Sequence, residues 1–340
     1  MKTEHIYNGN CIEVLKDFPD ESIDCVVTSP PYWNLRDYQE EEQLGLEKTP
    51  EEFVANLVKV FSEVKRVLKS SGTVWLNLGD SYMSGSYGMS KHNDPKNNKT
   101  KNMNKRYEKE CEYCKKTYLA TKNQKFCSKQ CAGVDNTPRI KKGILKPKDL
   151  VGIPFKTAFA LQADGWYLRQ DIIWAKKNCM PESVKDRCTK AHEYIFLLTK
   201  SPKYFYDADA IKEPVKQVSI DRSKRKMNIR KITPEKTIYE KAKDSTRVVQ
   251  EDHMRNKRSV WNMNTAAFPE AHFATFPIEL PTYCIKAGCP EGGIVLDPFF
   301  GSGTTGLAAQ EQSRHWVGIE LNKEYIEIAK RRTGQRTLFV

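Results

Sequence analysis

The sequence predicts an α/β fold, an open and mostly parallel sheet with helices on both faces. Three observations carry this reading. Short apolar runs of strand length alternate with amphipathic stretches of helical spacing along most of the 340 residues. An apolar run at 23–28, a helical stretch from residue 50 and a second apolar run at 73–79 form a β-loop-α-β unit, whose crossover implies parallel strands. Near the end of the chain, a strand, a glycine-rich turn, a helix and a strand follow one another between 292 and 320.

CIEVLKDF (11–18) has helical spacing and Pro19-Asp20 ends it. IDCVVT (23–28) is a buried strand, closed by Pro30-Pro31. PEEFVANLVKVFSEVKRVLK (50–69) is the clearest helix. Pro50 starts it, Glu51 and Glu52 sit in its first turn, and Phe53, Leu57, Val60, Phe61, Val64 and Leu68 share one face. Gly72 is expected to end this helix, before the strand TVWLNLG (73–79). Regular structure resumes near residue 150, with a helix at 154–163 and strands at 166–174 and 193–199. A helix from about 277, a strand at 292–297, a helix at 304–312, a strand at 315–320 and a last helix at 322–333 complete the pattern.

Two stretches break this alternation. Residues 83–150 hold 17 Lys and Arg against 6 Asp and Glu, and residues 212–258 hold 15 against 7. Their charges of +11 and +8 exceed the net +13 of the whole chain, so the remainder is about −6. The expected organisation is an α/β core of 1–82, 151–211 and 259–340 with two basic insertions. Such segments suit a phosphate backbone better than plain solvated loops. Hydrophobic residues make up 39% of the chain, enough for a core, which excludes wholesale disorder. No apolar run reaches the roughly 18–20 residues of a membrane span, and the N-terminal MKTEHIYNGN carries no apolar leader. A soluble, cytoplasmic protein with no membrane partner is expected.

Ten cysteines do not form a secreted disulfide framework, and a reducing compartment is expected. Four of them, Cys111, Cys114, Cys127 and Cys131, are spaced Cys-x2-Cys-x12-Cys-x3-Cys. That spacing suits a structural zinc held by four thiolates, and so polar a stretch needs the metal to fold.

Two motifs carry chemistry. Asp297-Pro-Phe-Phe-Gly301-Ser-Gly303-Thr304-Thr305 follows an apolar strand and opens a helix. Glycines let a backbone approach a ligand, and the helix start offers free N–H groups. No Gly-Lys-Ser/Thr follows, so this is not a phosphate loop. The next strand ends in Glu320, a placement that suits ribose hydroxyls. Together these features point to an adenosine-containing cofactor. The second motif, Thr28-Ser29-Pro30-Pro31-Tyr32-Trp33, lies at the carboxyl end of strand 23–28, the edge where open α/β sheets bind ligands. Pro carbonyls and a Ser hydroxyl can accept from an amino group, and Tyr32 offers a flat face for a planar base.

Ser29-Pro30-Pro31-Tyr32 together with DPFFGSGTT resembles the S-adenosylmethionine-dependent DNA amino-methyltransferases. LNLGDSY (76–82), GWYLRQDIIWAK (165–176), HEYIFLLTK (192–200) and HFATFP (272–277) agree with that family's patterns. The resemblance implies a Rossmann-like methyltransferase fold whose motif order, target motif first and cofactor loop last, is the circularly permuted one of the beta group. It implies that Ser29, Pro30, Pro31 and Tyr32 are catalytic, and that Asp297, Phe299, Gly301, Gly303, Thr304, Thr305, Glu320, Phe276 and Pro277 hold S-adenosylmethionine. Asn77 and Asp80 fall in a pocket-lining segment, though Asp80 could equally cap a turn or helix. The family's target-recognition region corresponds to 212–258, and its partner is double-stranded DNA. Ser at the first motif position favours N4 of cytosine, with N6 of adenine as the alternative. CEYCKKTYLATKNQKFCSKQC resembles treble-clef zinc knuckles that would present lysines to DNA. An RNA or protein amine methyltransferase and a catalytically inactive zinc-containing DNA-binding protein are the rival readings. The recognition sequence, the oligomeric state and the presence of a cognate restriction endonuclease as partner stay open.

Overall fold

A computed structural model describes residues 1–35, 40, 42–83, 107–112, 115–120, 145–217, 253–265 and 276–334. Its strands are β1 (His5–Asn8), β2 (Ile23–Thr28), β3 (Leu68–Leu78), β4 (Tyr107–Glu110), β5 (Thr117–Ala120), β6 (Tyr167–Lys176), β7 (His192–Thr199), β8 (Glu213–Pro214), β9 (Met254–Arg255), β10 (Val260–Met263), β11 (Ile294–Asp297) and β12 (His315–Glu320). Its helices are α1 (Cys11–Lys16), α2 (Pro50–Val67), α3 (Ile153–Ala163), α4 (Glu279–Gly288), α5 (Thr304–Glu311) and α6 (Lys323–Gly334).

The chain divides into two compact units. One comprises residues 1–80 and 152–340, and the other residues 81–151. The larger unit holds an eight-stranded sheet in the order β1-β12-β11-β2-β3-β7-β6-β10. Strand β7 runs antiparallel to both neighbours, and every other adjacent pair is parallel. The alternation of side chains across the central strands explains the two cores. Cys25, Val27, Trp75, Ile195 and Leu197 pack with residues of α4, α5 and α6 on one face. Val26, Val74, Leu76, Phe196 and Leu198 pack with α1, α2 and α3 on the other. Strand residues buried on both faces read as continuous apolar runs.

Helix α2 shows why the sequence folds this way locally. Thr49 caps it by accepting from the Glu52 N–H at 3.1 Å, Pro50 occupies the first turn, and Phe53, Leu57, Val60, Phe61, Val64 and Val67 are buried. The helix ends earlier than Gly72. Leu68 is already extended and the chain runs straight into β3, so Gly72 lies inside the strand. There a Cβ would sit 2.6 Å from the Leu68 side chain and 3.0 Å from the Asp24 carbonyl oxygen, which explains the glycine without a helix stop. Helix α1 stops at Lys16 rather than residue 18, because the Asp17 N–H turns back to the Val14 carbonyl. Strands β1 and β10 add to the expected pattern at the two sheet edges. No helix among the described residues is long and apolar enough to cross a membrane.

The smaller unit contains the antiparallel pair β4–β5 inside the stretch that shows no periodicity in sequence. Cys111 stands at its turn. The Cys111 N–H donates to the Lys116 carbonyl at 2.9 Å, the Lys115 N–H donates to the Cys111 carbonyl at 3.0 Å, and Lys115 takes a positive φ of 60°.

Candidate functional site

Four parallel neighbours, β1, β12, β11 and β2, present their carboxyl ends along one edge of the sheet. Asn8 pairs with Glu320, Asp297 with Gly318, and Leu296 with Val26, so the four strand exits are nearly level. The segments that leave them, Gly9–Ile12, Leu321 and Asn322, Pro298–Ser302, and Ser29–Tyr32, line one cavity of about 200 Å³. Residues 42–44, Val60 and Phe276 contribute to its wall. This is the edge where open α/β sheets bind ligands.

Asp297 ties the two motifs together. Its Oδ1 accepts from the Thr28 hydroxyl at 2.6 Å and the Phe299 N–H at 3.0 Å, and its Oδ2 accepts from the Thr305 hydroxyl at 2.7 Å. Thr28 is the last residue of β2, so the exit of β2 is bonded to the exit of β11. Burial raises the pKa of the Asp297 carboxyl to about 6, and the three donors hold it from rising further. Glu320 lies across the cavity. One oxygen accepts from the Gly301 N–H at 2.7 Å and the other from the Asn322 N–H at 2.9 Å. Burial pushes its carboxyl above the ordinary value, while those two N–H groups oppose the rise. Each oxygen keeps a lone pair for a ligand hydroxyl.

The glycine turn has a backbone reason. Gly303 caps α5 at a φ of +82°, a left-handed conformation, and a Cβ there would meet Ala329 at 3.1 Å. Gly301 takes a φ of +51°, and nothing but the Phe299 carbonyl oxygen lies within 4 Å of where its Cβ would stand. The turn is braced from α6, where the Arg332 guanidinium donates to the Ser302 carbonyl and hydroxyl, both at 2.6 Å.

On the far side of Ser29–Tyr32 the polar groups come from β3, β6 and β7. The Tyr32 hydroxyl donates to Glu193 Oε2 at 2.5 Å, and Asn77 Nδ2 donates to the same oxygen at 2.9 Å. Lys176 Nζ donates to Glu193 Oε1 and lies 4.7 Å from the centre of the Trp174 ring. Gly79 packs against Tyr32 so closely that a Cβ would fall 2.5 Å from the ring. Burial, with the Glu193 carboxylate beside it, pushes the Tyr32 hydroxyl well above its ordinary value, so it stays protonated and donates. Lys190 stands in the same electrostatic neighbourhood. Burial lowers its ammonium, Asp80 and Glu193 oppose that, and its Nζ is buried with no hydrogen-bond partner among the described residues.

Ten of the expected site residues line the cavity, namely Ser29, Pro30, Pro31, Tyr32, Phe276, Asp297, Phe299, Gly301, Thr304 and Glu320. Three do not. Thr305 is turned inward to Asp297, Gly303 shapes the turn, and Pro277 is buried and accepts from the Leu280 N–H where α4 begins. Asp80 acts as a helix cap, accepting from the Gly152 and Ile153 N–H groups at 2.9 and 3.1 Å. Cys111 is buried, and Cys114, Cys127 and Cys131 lie outside the described residues, as do 272–275. Asn10, Cys11, Ile12 and Arg332 are additions that no motif indicates, and Glu193 lies in the HEYIFLLTK segment without a role assigned from sequence. Cys11 faces the cavity with its thiol pushed by burial to about 12.

The sequence matches the DNA methylase family over residues 23–331. The chain belongs to that family. The methylase is 44% identical to the Type II methyltransferase M.Cfr9I of Citrobacter freundii over 327 residues, covering 96% of this chain and 86% of the relative. It is 43% identical to M.SmaI of Serratia marcescens over 336 residues, covering 99% and 92%. The methylase fold resembles that of the PvuII DNA methyltransferase, described as cytosine-N4-specific. That match has a TM-score of 0.59 at 18% identity and covers 98% of this chain and 86% of that one. DNA methylation, rather than methylation of RNA or protein, is therefore the methylase's activity.

Proposed function

We propose that the methylase transfers the methyl group of S-adenosylmethionine to N4 of a cytosine flipped out of duplex DNA. One observation carries this: the Thr28–Asp297 bond holds the Ser29–Tyr32 tetrapeptide beside the glycine turn on one cavity. The tetrapeptide comes first in the sequence and the glycine turn near its end, yet the two leave the paired strands β2 and β11. That adjacency supports the circularly permuted arrangement.

The cavity suits the cofactor on its donor set. Glu320 offers two lone pairs for ribose hydroxyls, the space at Gly301 admits a ligand where a Cβ would stand, and Ile12 and Phe299 supply apolar walls. S-adenosylmethionine supplies a methyl group on a sulfonium when bound. A base inside a duplex cannot reach such a cavity and must leave the stack. Tyr32 gives it a flat surface. Ser29 and the Pro30 carbonyl accept from the exocyclic amine and turn its lone pair toward the cofactor. Positioning supplies most of the effect, so no strong base is required. A Ser hydroxyl at the first position supports cytosine, and the PvuII enzyme that shares the fold is described as cytosine-N4-specific.

Zinc is held by Cys111, Cys114, Cys127 and Cys131, whose Cys-x2-Cys-x12-Cys-x3-Cys spacing suits four thiolates. The tight turn at Cys111 and Lys115 supports a Cys-x2-Cys knuckle. Segment 212–258 contacts the DNA. Its described ends meet, since Glu213 holds Arg255 and Arg258 and the Val215 N–H donates to the His253 carbonyl at 2.8 Å. The Type II relatives support a cognate restriction endonuclease as partner.

Tyr32→Ala tests the catalytic assignment. Turnover is expected to fall about a hundredfold or more with cofactor affinity within about threefold of wild type, and wild-type turnover would sink it.

A further inference from the structure

Glu193 is a buried carboxylate that no sequence motif singles out, and it is 9% exposed. It gathers donors from three places: the Tyr32 hydroxyl, Asn77 on β3 and Lys176 on β6. Isolating a carboxylate from water is costly unless donors surround it. Here they do, and one of them is the ring that lines the cofactor cavity. Tyr32 is thus gripped at its ring and at its hydroxyl, where the Ser29 side chain also makes a hydrogen bond. Gly79 lies against its ring and Glu193 takes its hydroxyl.

We propose that Glu193 is a positioning residue, which fixes the ring of Tyr32 in the orientation that receives the target base. This rests on the reading of Tyr32 as the stacking surface. Lys176 and Asn77 act one step further out. Lys176 pairs with the second carboxylate oxygen and Asn77 shares the first, so the carboxylate has little freedom to turn. A base that stacks on an already oriented ring loses less freedom on binding than one that must order it. The contact spans 161 residues of sequence and depends on β7 running antiparallel beside β3.

The test is a double-mutant cycle with Tyr32→Phe, which keeps the ring and deletes the hydroxyl. Glu193→Ala is expected to lower kcat about tenfold or more with cofactor affinity unchanged. Glu193→Gln keeps an oxygen that accepts from Tyr32 and Asn77 but turns an NH2 toward the Lys176 ammonium, so it should recover part of that loss, and it guards against misfolding of the alanine variant. In the Tyr32→Phe background, Glu193→Ala should cost less than about threefold more. Full additivity, or a Glu193→Gln variant as impaired as Glu193→Ala, overturns the proposal. Crystal structures give a readout independent of turnover. The ring should keep its place against Gly79 in wild type and leave it in Glu193→Ala. A ring that stays put overturns the positioning role even if cytosine methylation is confirmed. A displaced ring in a protein that modifies no cytosine keeps the positioning role and rejects the base assignment.

Discussion

Asp297→Asn should stabilise the fold in a pH-dependent way. The wild-type carboxyl is buried, and its pKa is raised from 3.8 to about 6. An ionised carboxylate there therefore costs the folded state about 3 kcal/mol, at ~1.4 kcal/mol per pH unit. The folded protein holds the Asp297 proton more tightly than the unfolded chain, so this contribution destabilises the fold as pH rises from about 4 to about 6. Above that range it is constant. Asparagine matches the shape and removes the charge. Its oxygen can keep the Thr28 and Phe299 bonds, and its amide can donate to Thr305, whose hydroxyl then turns toward the Val27 carbonyl at 3.4 Å. Urea unfolding of both proteins between about pH 4 and 8 measures the difference. Asp297→Asn should gain on wild type by about 2–3 kcal/mol across that range, with the gain concentrated between about pH 4 and 6. A difference that is flat with pH would refute the assignment of a raised carboxyl to this residue.

Other outcomes follow from the same geometry. Gly79→Ala places a methyl group 2.5 Å from the Tyr32 ring, so steady-state kinetics should show kcat reduced about tenfold or more with the cofactor Kd unchanged. Glu320→Ala removes the carboxylate opposite the glycine turn, and calorimetry should show S-adenosylmethionine binding weakened about tenfold or more, from about 1.5–3 kcal/mol per lost charged hydrogen bond. Metal analysis of the purified protein should find one zinc per chain, and Cys111→Ser should lower both zinc content and DNA affinity; a zinc-free wild type would contradict the knuckle.

The sequence is most informative where burial is symmetric. Strands β2 and β11 are apolar for most of their length because both faces are covered, so their ends and the motifs attached to them are legible directly. Strand β1 is not legible, because four residues, HIYN, with one buried side chain carry no period. With it go Asn10, Cys11 and Ile12, which reach the cavity only because β1 pairs beside β12. Glu193 is hidden for a different reason. A charged residue at the start of an apolar strand looks like a solvated end, and only the pairing of Asn77 with Ile195 brings it to Tyr32. Thr305 illustrates the reverse: the motif places it with the cofactor, while the helix turn directs its hydroxyl to Asp297.

Nucleoside mass spectrometry of DNA from a methylation-deficient host that expresses the chain identifies the base that is modified. N4-methylcytosine is expected in DNA from the host with the wild-type chain and none with the Tyr32→Ala variant. N6-methyladenine in its place, or no modified base at all, would contradict the cytosine N4 assignment.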